Sequence, residues 1–196
     1  MITAIEGIDQ SGKRTQAELL VDKLKLTNFS AVKISFPAYD TPVGQLIRKV
    51  LMKEITVPLE VKHVLLSANR WELKPKIDEL IKQGLTIVFD RYYQSNLAYG
   101  LASCLQLEWL ENLDKGLPPC DLTIVIDIPP TISFNRKQQN RDLHEQDLQY
   151  LELVRRNFIK LANKYGWSIV NGDRPIYQIH QSIWEIVSKK LKHNHF

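Results

Sequence analysis

Several features are scarce in this 196-residue sequence, and each absence excludes a class of protein. No apolar run approaches the roughly 18–20 residues that a membrane-spanning helix needs, so we expect no membrane partner. The two cysteines, Cys104 and Cys120, lack metal-ligand spacing, and the histidines are scattered except in the tail, so we expect no metal cluster. No charged-then-apolar leader opens the chain, because a glycine-rich motif already begins at residue 7. These absences predict a soluble cytoplasmic protein with reduced thiols.

Long basic runs are missing as well. The formal net charge is only +4, from 26 Lys and Arg against 22 Asp and Glu. This balance suits a pocket for anionic nucleotides, and without a Lys/Arg run we expect no nucleic-acid partner. The sequence also lacks internal repeats, low-complexity segments and linkers, and its 44% hydrophobic content is ordinary for a soluble domain. We therefore predict a single domain over residues 1–196.

A glycine-rich segment near the N terminus carries the most informative chemical signal. Gly7 and Gly12 follow a short apolar run at residues 2–5, and Lys13 opens a helical pattern. A strand, a glycine loop, a lysine and a helix in this order are typical of a P-loop, whose backbone N–H groups bind phosphate. The pattern predicts a site for a nucleoside triphosphate. Its predicted residues are Gly7, Asp9, Gln10, Ser11, Gly12, Lys13, Arg14 and Thr15.

One position of this motif departs from the usual pattern. The lysine is normally followed by Ser or Thr, whose hydroxyl ligates Mg²⁺, whereas this chain has Arg14 there and Thr15 one place later. A guanidinium cannot ligate a cation, but it can donate to phosphate oxygens and replace part of the neutralising role of the metal. The Mg²⁺ requirement would then be relaxed, and Thr15 would bond the α-phosphate. Alternatively, Arg14 points to solvent, and Mg²⁺ arrives with the nucleotide and is held by Asp90 through water.

Strand and helix patterns alternate along the rest of the chain. Four further apolar runs, rich in β-branched residues, predict buried parallel strands at residues 31–36, 85–89, 122–128 and 167–170. Helical patterns cover residues 43–52, 59–83, 95–113, 132–136, 148–165 and 176–191. Pro75 is expected to break the second of these helices in two. The alternation predicts an α/β fold: a doubly wound, five-stranded parallel sheet with helices on both faces.

Two segments fall beyond the carboxyl ends of predicted strands, where ligands bind in such folds. Asp90 and Arg91 follow the third strand, where the carboxylate can hold Mg²⁺ through water and the guanidinium can clamp a phosphoryl group. The alternative for this pair is a surface salt bridge. Phe36, Pro37 and Tyr39 end the second strand, and the tyrosine either meets a nucleotide or only packs.

Two further segments combine polar residues with helical patterns. Arg70 has Asn69 and Glu72 as neighbours and can read a base edge, although taken alone it is interpreted as a solvated helix charge. Residues 136–144 form a polar, basic stretch between two helices. This stretch is either an exposed connector or a lid whose Arg136 and Arg141 close over a triphosphate, exclude water and neutralise charge.

A set of ordered motifs extends through essentially the whole chain. The motifs lie at residues 6–9, 36–37 with Thr41 and Gly44, 67–72, 90–92 with Ser95, Ala98 and Tyr99, 116–118, 121–122 and 127. In this order they resemble the thymidylate kinase family, a far more specific signal than a P-loop alone. The resemblance implies a P-loop NTPase fold, homodimers, and a kinase that transfers the γ-phosphoryl of ATP to dTMP, with Mg²⁺ as cofactor.

The resemblance also implies roles for individual residues on the acceptor side. Asp9 resembles the carboxylate that meets the 3′-hydroxyl, and Arg70 resembles the arginine that reads the thymine carbonyl. Asn96 stands where some members bond the base, and Tyr99 resembles the ring that lies beside the 2′ position and disfavours ribose. The predicted dTMP-binding residues are Asp9, Phe36, Pro37, Tyr39, Leu66, Arg70, Arg91, Ser95, Asn96 and Tyr99.

On the donor side, the resemblance assigns charged residues to ATP and to catalysis. Asp90 and Arg91 match the pair that manages the metal and the acceptor phosphate, and Arg174 resembles the arginine beside the adenine. Arg136 and Arg141 fall in the lid. The predicted catalytic residues are Lys13, Arg14, Asp90, Arg91, Arg136 and Arg141, and Arg136 and Arg174 join the P-loop residues as ATP ligands.

Two more departures from the family pattern leave alternatives open. Gln10 stands where some members carry an arginine, so charge neutralisation must come from the lid or from Arg14. Leu66 stands where the base usually stacks on Phe, and losing that face is expected to weaken binding by about 1 kcal/mol. Leu66 therefore leaves open a kinase of the same fold acting on another (deoxy)nucleoside or monophosphate. Arg14 leaves open a non-catalytic P-loop regulatory protein.

Overall fold

The computed structural model describes residues 1–136 and 147–193. Its strands are β1 (Ile2–Glu6), β2 (Ala31–Ser35), β3 (Thr86–Asp90), β4 (Leu122–Asp127) and β5 (Ser168–Asn171). Its helices are α1 (Lys13–Leu26), α2 (Pro42–Leu51), α3 (Leu59–Lys82), α4 (Tyr93–Ala102), α5 (Leu107–Leu113), α6 (Pro130–Arg136), α7 (Leu148–Tyr165) and α8 (Ile176–His193). The strands form one parallel sheet in the order β2-β3-β1-β4-β5. The predicted five-stranded α/β fold is confirmed.

Helices cover both faces of the sheet, which explains why its strands are apolar without clean alternation. Val88 packs in a cluster with Leu20 of α1 and Ile183 of α8, and all three are fully buried. Phe89 belongs to a second buried cluster, which contains a residue of α3. Val125 belongs to a third, which contains residues of α4 and α7. None of the helices in the described ranges is long and apolar enough to cross a membrane.

The middle strand, β1, carries the candidate site at its carboxyl end. Strands β3 and β2 lie on one side of it, and β4 and β5 lie on the other, so the strand order reverses at this point. Gly7 directly follows β1 with a φ of 139°, and an added Cβ would lie 2.5 Å from the Ile126 carbonyl oxygen, so only glycine fits. The N–H of Arg91 donates to the Ile5 carbonyl at 3.1 Å, which places the loop after β3 beside the P-loop.

The predicted break at Pro75 is wrong, because α3 is continuous from Leu59 to Lys82. A proline inside a helix leaves the carbonyl four residues earlier, here that of Trp71, without its N–H partner. Pro75 and Trp71 are both exposed, so water can solvate that carbonyl. Ile77 lies just beyond the proline and is fully buried in the core, which holds the second half of the helix in line.

The single helix predicted over residues 95–113 is divided into α4 and α5. Cys104 lies in the interruption with a φ of 64°, a left-handed conformation that ends a helix and that the sequence does not mark with a glycine. The interruption lets α5 fold back onto α4. Leu110 is fully buried, and a Cβ added to Gly100 would lie 2.6 Å from its side chain, so the two helices are closely packed.

Candidate active site

The P-loop connects β1 to α1 and surrounds the side chain of Lys13. Gly12 occupies the N-cap position of α1 with a φ of 96°. The Lys13 ammonium donates to the Ile8 carbonyl at 2.6 Å and lies 3.4 Å from the Ser11 hydroxyl. The pKa of Lys13 is lowered to about 8, mainly by burial and secondly by the positive charge of Arg91. A phosphate anion bound in this loop would favour the charged ammonium and give it a stronger acceptor.

Arg91 joins the P-loop to the segment after β3. Its guanidinium pairs with the Asp9 carboxylate and donates to the Gly7 carbonyl at 3.2 Å and to the Ser95 hydroxyl at 3.0 Å. The Tyr99 hydroxyl donates to the other Asp9 oxygen at 2.7 Å. Burial is the largest single effect and opposes the charge of Arg91, but Asp9, Tyr99, Glu6 and Asp90 together outweigh it and raise the pKa of Arg91 well above its ordinary value. The cluster thus presents a permanent cation beside the phosphate loop.

The buried Glu6 connects the end of β1 to the start of α4, and this role was not predicted from the sequence. Its buried carboxylate accepts hydrogen bonds from the Tyr92 N–H at 2.7 Å and from the N–H and hydroxyl of Ser95 at 3.2 and 2.6 Å. These donors belong to the start of α4, where the helix dipole favours an anion. Burial raises the pKa of Glu6, and the charge of Arg91 opposes that rise. The carboxylate therefore fixes α4 against the end of β1.

A pocket that is partly open to solvent extends from this junction. All ten residues predicted to bind dTMP line it, although they come from distant parts of the chain: Asp9, Phe36, Pro37, Tyr39, Leu66, Arg70, Arg91, Ser95, Asn96 and Tyr99. Leu51, His63 and Tyr92 line the pocket too. They were missed because a leucine, a lone histidine and a tyrosine in helical or core patterns carry no distinct chemical signal.

Arg70 is buried, which overturns its interpretation as a solvated charge. Its side chain is 3% exposed, and its Nε and Nη2 donate to the two carboxylate oxygens of Asp114 at 3.0 and 2.7 Å. Asp114 follows α5 and is 44 residues away in sequence, so no local pattern indicates the pair. A buried, paired guanidinium in a pocket wall is suited to donate hydrogen bonds to a polar ring.

Asn96 and His63 form a second buried polar pair in the pocket wall. Asn96 donates from Nδ2 to the His63 carbonyl at 3.3 Å, and its Oδ1 lies 2.6 Å from the His63 Nδ1. Because a carbonyl oxygen can only accept, this arrangement orients the Asn96 amide and requires a proton on His63 Nδ1. Burial lowers the pKa of His63 to about 4, so the ring is neutral at physiological pH.

Helix α6 contacts the backbone of the P-loop on its other side. The Ser133 hydroxyl donates to the Asp9 carbonyl at 2.7 Å. Arg136 donates to the carbonyls of Gln10 and Gly172, both at 3.1 Å, and so joins the P-loop to the segment after β5. Arg141 and the rest of the predicted lid after Arg136 lie outside the described residues.

Three residues predicted to contact ATP lie at the protein surface. The side chain of Arg14 is 81% exposed, and its Nε donates to Glu18 one helical turn later at 3.3 Å. Arg14 thus takes the solvent-facing orientation of the two alternatives, because α1 turns its other face to the core. Thr15 and Arg174 are also exposed. Contacts between these three residues and a nucleotide stay predictions.

A metal site made only of protein ligands is not found among the described residues, which contain no group of three or more His, Cys, Asp or Glu arranged to hold an ion. Asp90 ends β3 and is half-buried, and its charge acts on Lys13 across the sheet edge. A single carboxylate fits a Mg²⁺ ion that keeps several waters and is bound mainly by substrate phosphates.

Comparison with known proteins identifies relatives over almost the whole chain. A family model described as "Thymidylate kinase" matches residues 5–183. The thymidylate kinase of Schizosaccharomyces pombe is 35% identical over 192 residues, covering 95% of this chain and 91% of the relative. The human thymidylate kinase is 32% identical over 185 residues, covering 93% and 87%. A solved structure of thymidylate kinase from Candida albicans has a TM-score of 0.88 and 34% identity, covering 98% of this chain and 92% of that chain.

Proposed function

The chain belongs to the thymidylate kinase family and is a phosphotransferase that converts dTMP to dTDP with ATP, and we propose a role in this reaction for each part of the site. The pocket between the P-loop, α3 and α4 binds dTMP, with the base toward Arg70 and Asn96 and the phosphate toward Arg91. The P-loop holds the phosphates of ATP around Lys13. The observation that supports this division best is the pairing of Arg91 with Asp9, where the pocket meets the P-loop.

The proposed mechanism is mainly positioning and neutralisation of charge. The acceptor phosphate is already anionic at neutral pH, so little proton transfer is needed. Lys13 and Arg91 supply positive charge at the P-loop, where Lys13 donates to the Ile8 carbonyl and Arg91 to the Gly7 carbonyl, and Asp9 orients both Arg91 and Tyr99. Arg136, which already contacts the P-loop backbone, adds a third charge when the lid over residues 136–144 closes, and Arg141 adds a fourth.

We propose that Mg²⁺ enters with ATP, where it would neutralise phosphate charge, and that Asp90 holds it through water. The exposed Arg14, paired with Glu18, gives no sign that a guanidinium replaces the metal in this protein. The Mg²⁺ requirement is therefore expected to be ordinary. A titration of activity against Mg²⁺, with EDTA controls, should give the same steep dependence in the wild type and in Arg14→Thr; activity of the wild type at low metal would restore the phosphate role of Arg14.

A homodimer is proposed from the exposed side of α3. Val61, Val64 and Trp71 are all exposed and lie within one side of this helix, and Leu46 of the neighbouring helix α2 is exposed as well. Exposed apolar side chains that share one side of a helix are typical of interaction surfaces. Sedimentation of the wild type as a dimer and of Val64→Glu as a monomer would support the proposal, and a monomeric wild type would contradict it.

We propose that residues 1–196 form one domain, that Arg174 lies beside the adenine of ATP, and that the protein acts in the cytoplasm.

A panel of acceptors, assayed by ADP release from ATP, tests the proposed acceptor pocket. The expected order is dTMP well ahead of its ribose counterpart and of purine monophosphates, because Tyr99 crowds the 2′ position and the pocket presents Arg70 and Asn96 to a pyrimidine. Comparable kcat/KM for dGMP and dTMP would contradict the pocket assignment. The panel also checks the two rivals, since a kinase for another acceptor would prefer that acceptor and a regulatory protein would release no ADP with any of them.

A further inference from the structure

The Asp114 carboxylate forms an ion pair with one edge of the Arg70 guanidinium. Both side chains are buried, and the two carboxylate oxygens accept from Nε and Nη2 of Arg70 at 3.0 and 2.7 Å. A bidentate ion pair of this kind fixes the plane of the guanidinium and also neutralises its charge. The third nitrogen, Nη1, has no hydrogen-bond partner among the described residues, and Arg70 lines the pocket. Two donors on Nη1 are therefore left for a ligand.

Asp114 is itself held in place by α3. The Ser67 hydroxyl shares its one hydrogen between Oδ1 of Asp114 at 2.8 Å and the Leu113 carbonyl at 2.9 Å, so Asp114 and its neighbour are both held by this side chain. Trp71 donates from its indole N–H to the Leu113 carbonyl at 2.9 Å. Ser67, Arg70 and Trp71 are spaced at three and four residues, which places them on one side of α3. The segment that carries Asp114 is thus docked on the same helix turn as Arg70.

The same segment packs closely against the Trp71 ring. Gly116 has a φ of 105°, and a Cβ added there would lie 3.1 Å from the indole. A side chain at this position would be strained and would push the segment away from α3. The glycine lets the backbone approach the helix, and the close approach brings the Asp114 carboxylate within reach of the buried guanidinium.

From this geometry we propose that Asp114 is a positioning residue, which turns Nη1 of Arg70 toward the 4-position of a pyrimidine and selects a carbonyl there over an amino group. The inference rests on the proposed dTMP pocket. A 4-carbonyl accepts the hydrogen bonds that Nη1 offers, whereas a 4-amino group is a donor and would face another donor. A desolvated donor without an acceptor is unfavourable, so a fixed guanidinium rejects cytosine as well as attracting thymine. A mobile guanidinium could turn away from the amino group and would lose this rejection.

The test measures kcat and KM for dTMP and for dCMP in the wild type, Asp114→Asn, Arg70→Ala and the double variant. Asparagine keeps the size of aspartate but removes the charge and one of the two acceptors. Glu108→Gln is the matched control, because it makes the same chemical change on the exposed side of α5. Ser67→Ala is a milder variant that leaves the ion pair intact and removes the hydroxyl that contacts Asp114 and the Leu113 carbonyl.

In Asp114→Asn we expect KM for dTMP to rise about 10-fold with kcat within about twofold, and the dTMP:dCMP ratio of kcat/KM to fall about 10-fold. The double variant should match Arg70→Ala, because Asp114 acts through Arg70. Should Asp114→Asn fail to fold, Ser67→Ala is expected to lower the same ratio about twofold to threefold.

Three results would overturn the inference. One is a dTMP:dCMP ratio of kcat/KM in Asp114→Asn that equals the wild-type ratio, while Arg70→Ala loses discrimination. Where Asp114→Asn fails to fold, an unchanged ratio in Ser67→Ala has the same meaning. The second is an equal loss for dTMP and dCMP, which indicates a purely structural role. The third is an unchanged ratio in Arg70→Ala, which removes the role of Arg70 on which the inference rests. A wild type that fails to phosphorylate dTMP is a separate result and would contradict the proposed pocket itself.

Discussion

The hydroxyl of Tyr99 donates a 2.7 Å hydrogen bond to Asp9, on the same carboxylate that pairs with Arg91. Asp9 belongs to the P-loop, and Tyr99 lies on α4, 90 residues later. The Arg91 guanidinium also lies over the ring of Tyr99, with its Cζ atom 5.4 Å from the ring centroid. One carboxylate therefore ties the wall of the acceptor pocket to the loop that holds the donor phosphates.

Replacing Tyr99 by Phe removes this hydrogen bond and keeps the ring. Hydrogen bonds to charged groups contribute about 1.5–3 kcal/mol, so we expect kcat/KM for dTMP to fall roughly 10-fold. Discrimination against the ribose counterpart should persist, because the ring that crowds the 2′ position remains. Tyr165→Phe is the matched control, since that hydroxyl bonds Glu111 at the surface. Unchanged kinetics in Tyr99→Phe would show that Asp9 does not depend on the hydroxyl.

Lys13 predicts a pH dependence of ATP binding. Burial, followed by the charge of Arg91, lowers its pKa to about 8, so the ammonium of the free protein loses its proton above that pH. Because phosphate binds the protonated form, the affinity for ATP should fall as the pH rises through about 8, approaching tenfold per pH unit. Calorimetric titration with ATP between pH 7 and pH 9.5 measures this directly. Binding of dTMP serves as the control, and equal pH profiles for the two ligands would contradict the role of Lys13.

Leu66→Phe should improve binding of dTMP. Leu66 is half-buried and lines the pocket together with Phe36, so a phenylalanine there would offer the base a flat face. Aromatic pairs contribute about 0.5–1.5 kcal/mol, which corresponds to a KM roughly 5-fold lower. Leu66→Met is the control, because it changes shape without adding an aromatic face. An unchanged or higher KM in Leu66→Phe would show that the base packs elsewhere.

The lid is tested by Arg136→Ala and Arg141→Ala. A charge directed at the transferring phosphoryl acts mostly in the transition state, so kcat should fall about 100-fold or more with little effect on the KM for dTMP. Arg156→Ala provides the control, since Arg156 is exposed and pairs only with Glu152 along α7 among the described residues. Near-normal kcat in both lid variants would make residues 136–144 an exposed connector.

The features that could be predicted from the sequence are those whose signals are local. Buried parallel strands are apolar over a few consecutive residues, and the P-loop is contained within nine positions, so both are recognisable without the fold. The pocket residues belong to short motifs, and the resemblance to a family supplied their roles. Their convergence in one pocket then follows from the strand order, which brings the ends of β1, β2 and β3 to one edge.

The features that could not be predicted join distant positions. Glu6 accepts from Tyr92 86 residues later, and Arg70 pairs with Asp114 44 residues later, so neither partner appears in any local window. At Pro75 the local rule that a proline breaks a helix is overridden by the tertiary structure. The core contact of Ile77 and the exposure of the proline keep α3 continuous where the sequence alone indicates a break.

The most direct test of the account is a crystal structure with dTMP and a non-hydrolysable ATP analogue bound together. We expect the base within hydrogen-bond distance of Arg70, the 5′-phosphate against Arg91, and the triphosphate in the P-loop beside Lys13. Binding of dTMP in the separate cavity lined by Tyr93, Glu111 and Trp167, or an acceptor phosphate that makes no contact with Arg91, would contradict the proposed binding mode.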